Sequence, residues 1–243
     1  MSTVWLITKR ELNALFRSPI GYAAAAAALL IDGIWFIAKA LGDAGAKRLS
    51  AQVLAEFFNG VSGVTMILGI ALSMRLIAHE HEHGTLILLK TSPITDRAVV
   101  LGKFVAVTLV LVLITALTAY MPALIFVNGR VSLGHIAVGY TGILLLGASA
   151  CAIGLFASAL AKTQVVAAIL GAVTMAVMLL WWLLAKLTEP PISDFMEGLA
   201  LHHLRMRDFM TGVLRLENVV FYVAVCFLFL FAATKTLEAR RWR

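Results

Sequence analysis

Histidine and glutamate alternate through His79-Glu80-His81-Glu82-His83, the densest run of chemically capable side chains in the sequence. His79, Glu80 and His83 satisfy H-E-x-x-H, in which two histidines one helical turn apart hold zinc and the glutamate is the general base. A catalytic zinc needs a third protein ligand. His81 lies about 200° around a helix from His79, and Gly84 interrupts the helix directly afterwards. The other histidines, His135, His202 and His203, are expected on the far side of a membrane (below). The stronger reading is therefore solvated histidines and glutamates at a membrane edge. A membrane-embedded zinc metalloprotease using His79, Glu80 and His83 stands as the alternative, beside a noncatalytic structural subunit of a membrane complex.

Other chemistry is sparse. No G-x-x-x-x-G-K-[ST] loop occurs: Gly102-Lys103 is followed by Phe104, so ATP, where it is used, is bound by another chain. Cys151 and Cys226 both fall inside apolar runs and read as small buried side chains. Asp32 is the one acid well inside an apolar run, a candidate pathway or gating residue, with Lys39 seven residues on and roughly on the same helical face.

The elements that carry these residues follow from composition. Of 243 residues 61% are hydrophobic and 14% charged, with a mean hydropathy of +0.95; soluble domains run to about 45–50% apolar and about 25% charged. Such a chain lacks the polar surface to cover a soluble core, so its solvent is largely lipid. The net charge of +7 is spread between the apolar runs rather than gathered on one face, which argues for topology signals over nucleic-acid binding. The apolar stretch after Lys9, Arg10 and Arg17 is too long for a cleaved signal peptide and reads as a retained span.

Six stretches are long enough to cross about 30 Å of hydrocarbon as helices: 19–40, 57–78, 104–127, 134–160, 165–187 and 219–237. They are continuous rather than alternating, which excludes a β-barrel. The expected fold is one all-α membrane domain over 1–243. The side holding both termini and the loops after spans 2 and 4 carries twelve Lys and Arg against five acids, while the other side carries eight of each. Both termini are therefore expected in the cytoplasm. Trp35, Trp181 and Trp182 then fall toward the outer ends of spans 1 and 5, and Pro122 is expected to kink span 3.

Three segments do not span. Residues 3–17 place Val4, Trp5, Thr8, Leu12, Leu15 and Phe16 on one helical face and Lys9, Arg10, Asn13 and Arg17 opposite, the pattern of an interfacial helix. In 79–103, Thr85 is placed to cap a short apolar helix, and Thr95-Asp96 to start the helix entering span 3. Leu86, Ile87, Leu88 and Leu89 would be exposed there unless membrane or a partner's groove covers them. Residues 188–217 are too polar to span and too apolar for a free loop, so short helices capping the outer end are expected.

GTLILLKTSPITDRAVVLGKF resembles the segment after span 2 in ABC type-2 transporter permeases, particularly the gliding-motility-type branch. KRELNALFRSPIGY, GLFASALAKTQVVAAI and the C-terminal GVLRLENVVFYVAVCFLFLFAATKTLEARRW resemble further parts of that branch, in order and at compatible spacing. The resemblance implies a permease subunit of a bacterial cytoplasmic (inner) membrane transporter, without an ATPase site of its own. It implies pairing with a second permease subunit, identical or not, with two separate ATPase subunits that carry ATP and Mg, and with an accessory protein in some systems. It also implies that the loop after span 2 is a coupling helix docking on the ATPase through Glu80, Gly84, Thr85, Leu86, Leu88, Leu89, Thr91, Ser92 and Pro93, with Lys103 near the membrane edge. Ile87 stands where relatives often carry Glu, and Lys90 where they often carry Leu.

Overall fold

The computed structural model describes residues 3–40, 50–85, 94–128, 131–190 and 192–241, and among these every regular element is a helix. In chain order they are α1 (Thr3–Arg17), α2 (Pro19–Ala40), α3 (Ser50–Ser73), α4 (Arg75–Glu82), α5 (Asp96–Leu117) and α6 (Tyr120–Asn128). Then come α7 (Leu133–Leu160), α8 (Gln164–Ala185), α9 (Ile192–Leu199), α10 (Arg205–Met210) and α11 (Leu216–Arg241). Among the described residues six helical stretches are long and apolar enough to cross a membrane: α2, α3 with α4, α5 with α6, α7, α8 and α11.

Local signals set the helix ends. Thr95 caps α5, its side chain accepting from the Ala98 N–H, and Asp96 sits in the first turn where the helix dipole favours an acid. Ser132 and Thr163 cap α7 and α8 in the same way. The third span breaks at Thr118–Ala119. Pro122 lies four residues past Thr118, and a proline ring clashes with the carbonyl four residues before it, which locates the break. Both this stretch and the second one are longer than the apolar runs 104–127 and 57–78, extending over Asp96–Val127 and Ser50–Glu82.

Helix α7 is the centre of the bundle. Its small residues let neighbours approach closely: a Cβ on Gly69 of α3 would lie 2.8 Å from Ala150 Cβ, and one on Gly154 would lie 2.8 Å from Ser73 Cβ. Such contact substitutes for the hydrophobic effect, which lipid does not supply between helices. By contrast α2, α8 and α11 leave broad apolar faces uncovered, including Ile31, Ile34, Val165, Ile169, Val173, Val223 and Phe227.

One end of the bundle is closed by α9, α10 and their connections, the short helices that the composition of 188–217 predicts. Leu201, fully buried, donates its N–H to Met178 O at 3.2 Å and accepts from Tyr222 Oη at 2.8 Å, tying the cap to α8 and α11. His202 Nε2 lies 2.8 Å from Ser62 Oγ, and burial, with His203 adding to it, holds this imidazole toward its neutral form. Trp182 stacks on His203 with ring centroids 4.3 Å apart.

Candidate functional site

The most concentrated chemistry in the fold is an ion cluster where α1, α4 and α5 meet. Lys103, only 1% exposed, comes from the second turn of α5. Its Nζ donates to Glu11 Oε1 at 3.0 Å, Glu80 Oε1 at 2.9 Å and the Leu76 carbonyl at 2.6 Å. An ammonium has three N–H donors, and all three are used. Arg10 closes the cluster from outside: its Nη2 reaches Glu11 Oε1 at 2.7 Å and Glu80 Oε1 at 2.8 Å, with the side chain 57% exposed. Two cations and two carboxylates thus form a neutral cluster shared by three helices. A cavity of about 290 Å³ opens beside it, lined in part by Arg75, Leu15 and His79.

The sequence folds this way because each helix brings one polar group to an otherwise apolar seam. On α1 the docking face is Ile7, Thr8, Glu11 and Leu15. Gly102 lets α1 come close, since a Cβ there would lie 2.8 Å from Ile7 Cβ, and Thr8 Oγ1 donates to the Gly102 carbonyl at 3.1 Å. Burial opposes the charge on Glu11, but Lys103 and Arg10 outweigh it and hold the carboxyl below the usual carboxylate range. Burial likewise opposes the Arg10 guanidinium, and the two carboxylates more than offset that.

Helix α4 is anchored independently. Ser158 Oγ on α7 accepts from the N–H groups of Ile77 at 3.0 Å and Ala78 at 2.9 Å, and donates to Met74 O at 2.8 Å. These are groups freed where the helix breaks between α3 and α4. Arg75 donates to Ser18 Oγ, linking α4 to the elbow between α1 and α2. Gln164 at the start of α8 contacts His79 Nδ1 at 3.0 Å and donates to Glu82 Oε2 at 3.2 Å. Gly84, at φ +69°, then ends the helix in a conformation that suits glycine.

Several expectations are revised here. Helix α1 packs on protein through Ile7, Thr8, Glu11 and Leu15, while Trp5 and Phe16 of its apolar face stay exposed, at 47% and 42%. The reason is that α1 docks edgewise on α5 and still presents an apolar stripe outward. Lys39 does not turn to Asp32; it pairs with Glu56 at 3.4 Å. Of the H-E-x-x-H residues, the His79 and His83 rings lie 4.1 Å apart between centroids, but the Glu80 carboxylate is drawn into the ion cluster. Among the described residues no three His, Cys, Asp or Glu side chains are grouped to hold a metal.

Of the residues implicated in docking, Glu80 joins the cluster, and Gly84 and Thr85 follow it, with Thr85 Oγ1 donating to Glu80 O at 3.2 Å. Leu86, Leu88, Leu89, Thr91, Ser92 and Pro93 lie outside the described residues. Lys9 and Arg17 are exposed on α1 and stand apart from the cluster that takes Arg10. Glu11, Ser158 and Gln164 were not legible as site residues. For Glu11 one signal existed: it is the sole acid in a helix otherwise carrying Lys9, Arg10 and Arg17, on the side opposite Asn13.

Comparison with known proteins bears directly on this architecture. The chain is 35% identical over 117 residues to the probable ABC transporter permease protein NosY of Pseudomonas aeruginosa, a match covering 47% of this chain and 42% of that relative. The chain thus spans less than half the length of that relative in the matched region. The family described as ABC-2 family transporter protein matches residues 7–207, which takes in most of α1, the ion cluster, five of the six spanning stretches, α9 and the start of α10. On that match this chain belongs to the ABC-2 transporter family.

Proposed function

We infer that this chain is the membrane permease subunit of an ATP-driven transporter in the bacterial cytoplasmic membrane, with both termini in the cytoplasm. Two separate ATPase subunits bind ATP and Mg, and a second permease subunit completes the translocation unit. The observation that carries this reading is the Lys103 cluster. It ties α4, the helix that leads into 86–93, to α1 and α5.

The mechanism follows from that tie. ATPase closure displaces the 79–93 segment, α4 moves with it, and the cluster passes the displacement to α1 and α5. Bonds from α5 to two other helices make Lys103 a joint: a motion of α4 that left α1 behind would strip a buried carboxylate of its partner, which is costly. The bare apolar faces of α2, α8 and α11 supply area for the second permease subunit and for lipid. The output is substrate export or force passed to a partner outside the membrane.

The test is capture of this chain from detergent-solubilised membranes, wild type beside the Leu88→Asp/Leu89→Asp double variant, with mass spectrometry of what accompanies it. An ATPase recovered with wild type and lost from the folded variant supports the reading. If wild type brings down no ATPase under mild conditions, the chain is a structural membrane subunit instead.

A further inference from the structure

Asp32 is unexplained by the coupling machinery. It lies in the middle of α2, is 4% exposed, and its Oδ1 is buried with no hydrogen-bond partner. It faces inward with Ala28 one turn before, itself 5% exposed, and Phe36 one turn after, whose ring meets Phe57 edge-on at 5.9 Å.

Among the described residues, the groups around it supply no counter-charge. On α3 no titratable residue occurs from Phe57 to Ser73, and Glu56 is engaged by Lys39. On α5 none occurs after Lys103, which is fully used by the cytoplasmic cluster. On α6 Tyr120 is exposed at 57%. On α7 Tyr140 is near enough to interact with Asp32 electrostatically, and its hydroxyl lies 2.9 Å from Thr118 Oγ1. Thr118 in turn donates to Thr115 O at 2.7 Å, so the Tyr140 hydroxyl is the donor to Thr118. Asp32 therefore sits among neutral polar groups beside the break between α5 and α6.

We propose that Asp32 is an intramembrane proton-binding site, carrying its proton while α2 is packed as in this structure and releasing it when that face is exposed to water. An ionised carboxylate inside hydrocarbon without a cation or full hydrogen bonding is too costly to persist. Among the described residues no group of His, Cys, Asp and Glu around Asp32 could hold a metal ion, so a proton fits where a metal cation would lack charged ligands. The site couples protonation to the packing of α2 on the broken third span: the neutral acid permits contact there, and the charged form opposes it.

The test uses the purified chain in lipid nanodiscs, without any ATPase, so its outcome is independent of the capture experiment above. Infrared spectra across about pH 5 to about pH 9 report the C=O stretch of a protonated carboxyl, which shifts in D2O. A band present in wild type at neutral pH, missing in Asp32→Asn and moved in frequency in Asp32→Glu supports the site. A wild type without the band at neutral pH, or a band that persists unchanged in Asp32→Asn, overturns it. So does loss of the band when sodium replaces choline at constant pH, which would make the ligand a metal cation.

Discussion

Replacing Lys103 by Met keeps the length and apolar stem of the side chain and removes one charge. Glu11 and Glu80 are then left facing each other with side chains only 11% and 16% exposed, and with the mostly solvated Arg10 as their remaining cation. Removing one partner from a buried ion pair costs about 3–5 kcal/mol. Partial exposure of the two carboxylates and the survival of Arg10 place this case near the lower figure, about 3 kcal/mol, or a fall of about 6–12 °C in Tm for a domain of this size. Thermal unfolding of the purified chain in one detergent, followed by fluorescence, measures it. The pH dependence has a fixed sign. Glu11 is held below its ordinary range, so its contribution is complete above about pH 4.3 and is lost as pH falls through the folded value. In the variant Glu11 lacks Lys103 and takes up a proton more readily. The gap between wild type and Lys103→Met should therefore narrow from about pH 7 toward about pH 4. The triple variant Lys103→Met/Glu11→Gln/Glu80→Gln should recover most of the loss, since no buried charge is then left unpaired. A single variant within about 0.5 kcal/mol of wild type, or a gap that widens in acid, would refute the assignment of Lys103 as the joint.

Two further outcomes follow from the packing. Ser158→Ala deprives the Ile77 and Ala78 N–H groups and lowers stability by about 1–3 kcal/mol; protection of those two amides in hydrogen exchange should fall more than that of α7 itself. Gly69→Leu forces α3 and α7 apart and costs about 3 kcal/mol by overpacking, whereas Gly63→Ala, with nothing within 4 Å of the added Cβ, should be neutral or stabilising by up to about 1 kcal/mol. Parallel melts of the two glycine variants separate close approach from a general effect of altering α3.

Hydrophobic run length, cap residues and glycine stops act over one turn to one span of a single helix, and these the sequence determines. The six spanning stretches, the Thr95 cap, the break ahead of Pro122 and the stop at Gly84 are all legible there. So is the amphipathic character of α1, because period and charge survive without knowing what the helix touches. Which way that helix turns is not legible, since α1 has apolar residues on two adjoining faces and only contact with α5 selects Ile7, Thr8 and Glu11 over Trp5 and Phe16. The pairing of Glu11 with Lys103 spans 92 positions, and that of Ser158 with α4 spans about as many. No local rule of propensity or spacing reaches that far. The same holds for Glu80: its sequence neighbours offer a zinc motif, and tertiary contact gives it to a lysine instead. Charges and polar groups inside a low-dielectric bundle must find partners wherever the fold brings them, so the joint is decided by packing, while the helices that build it are decided by sequence.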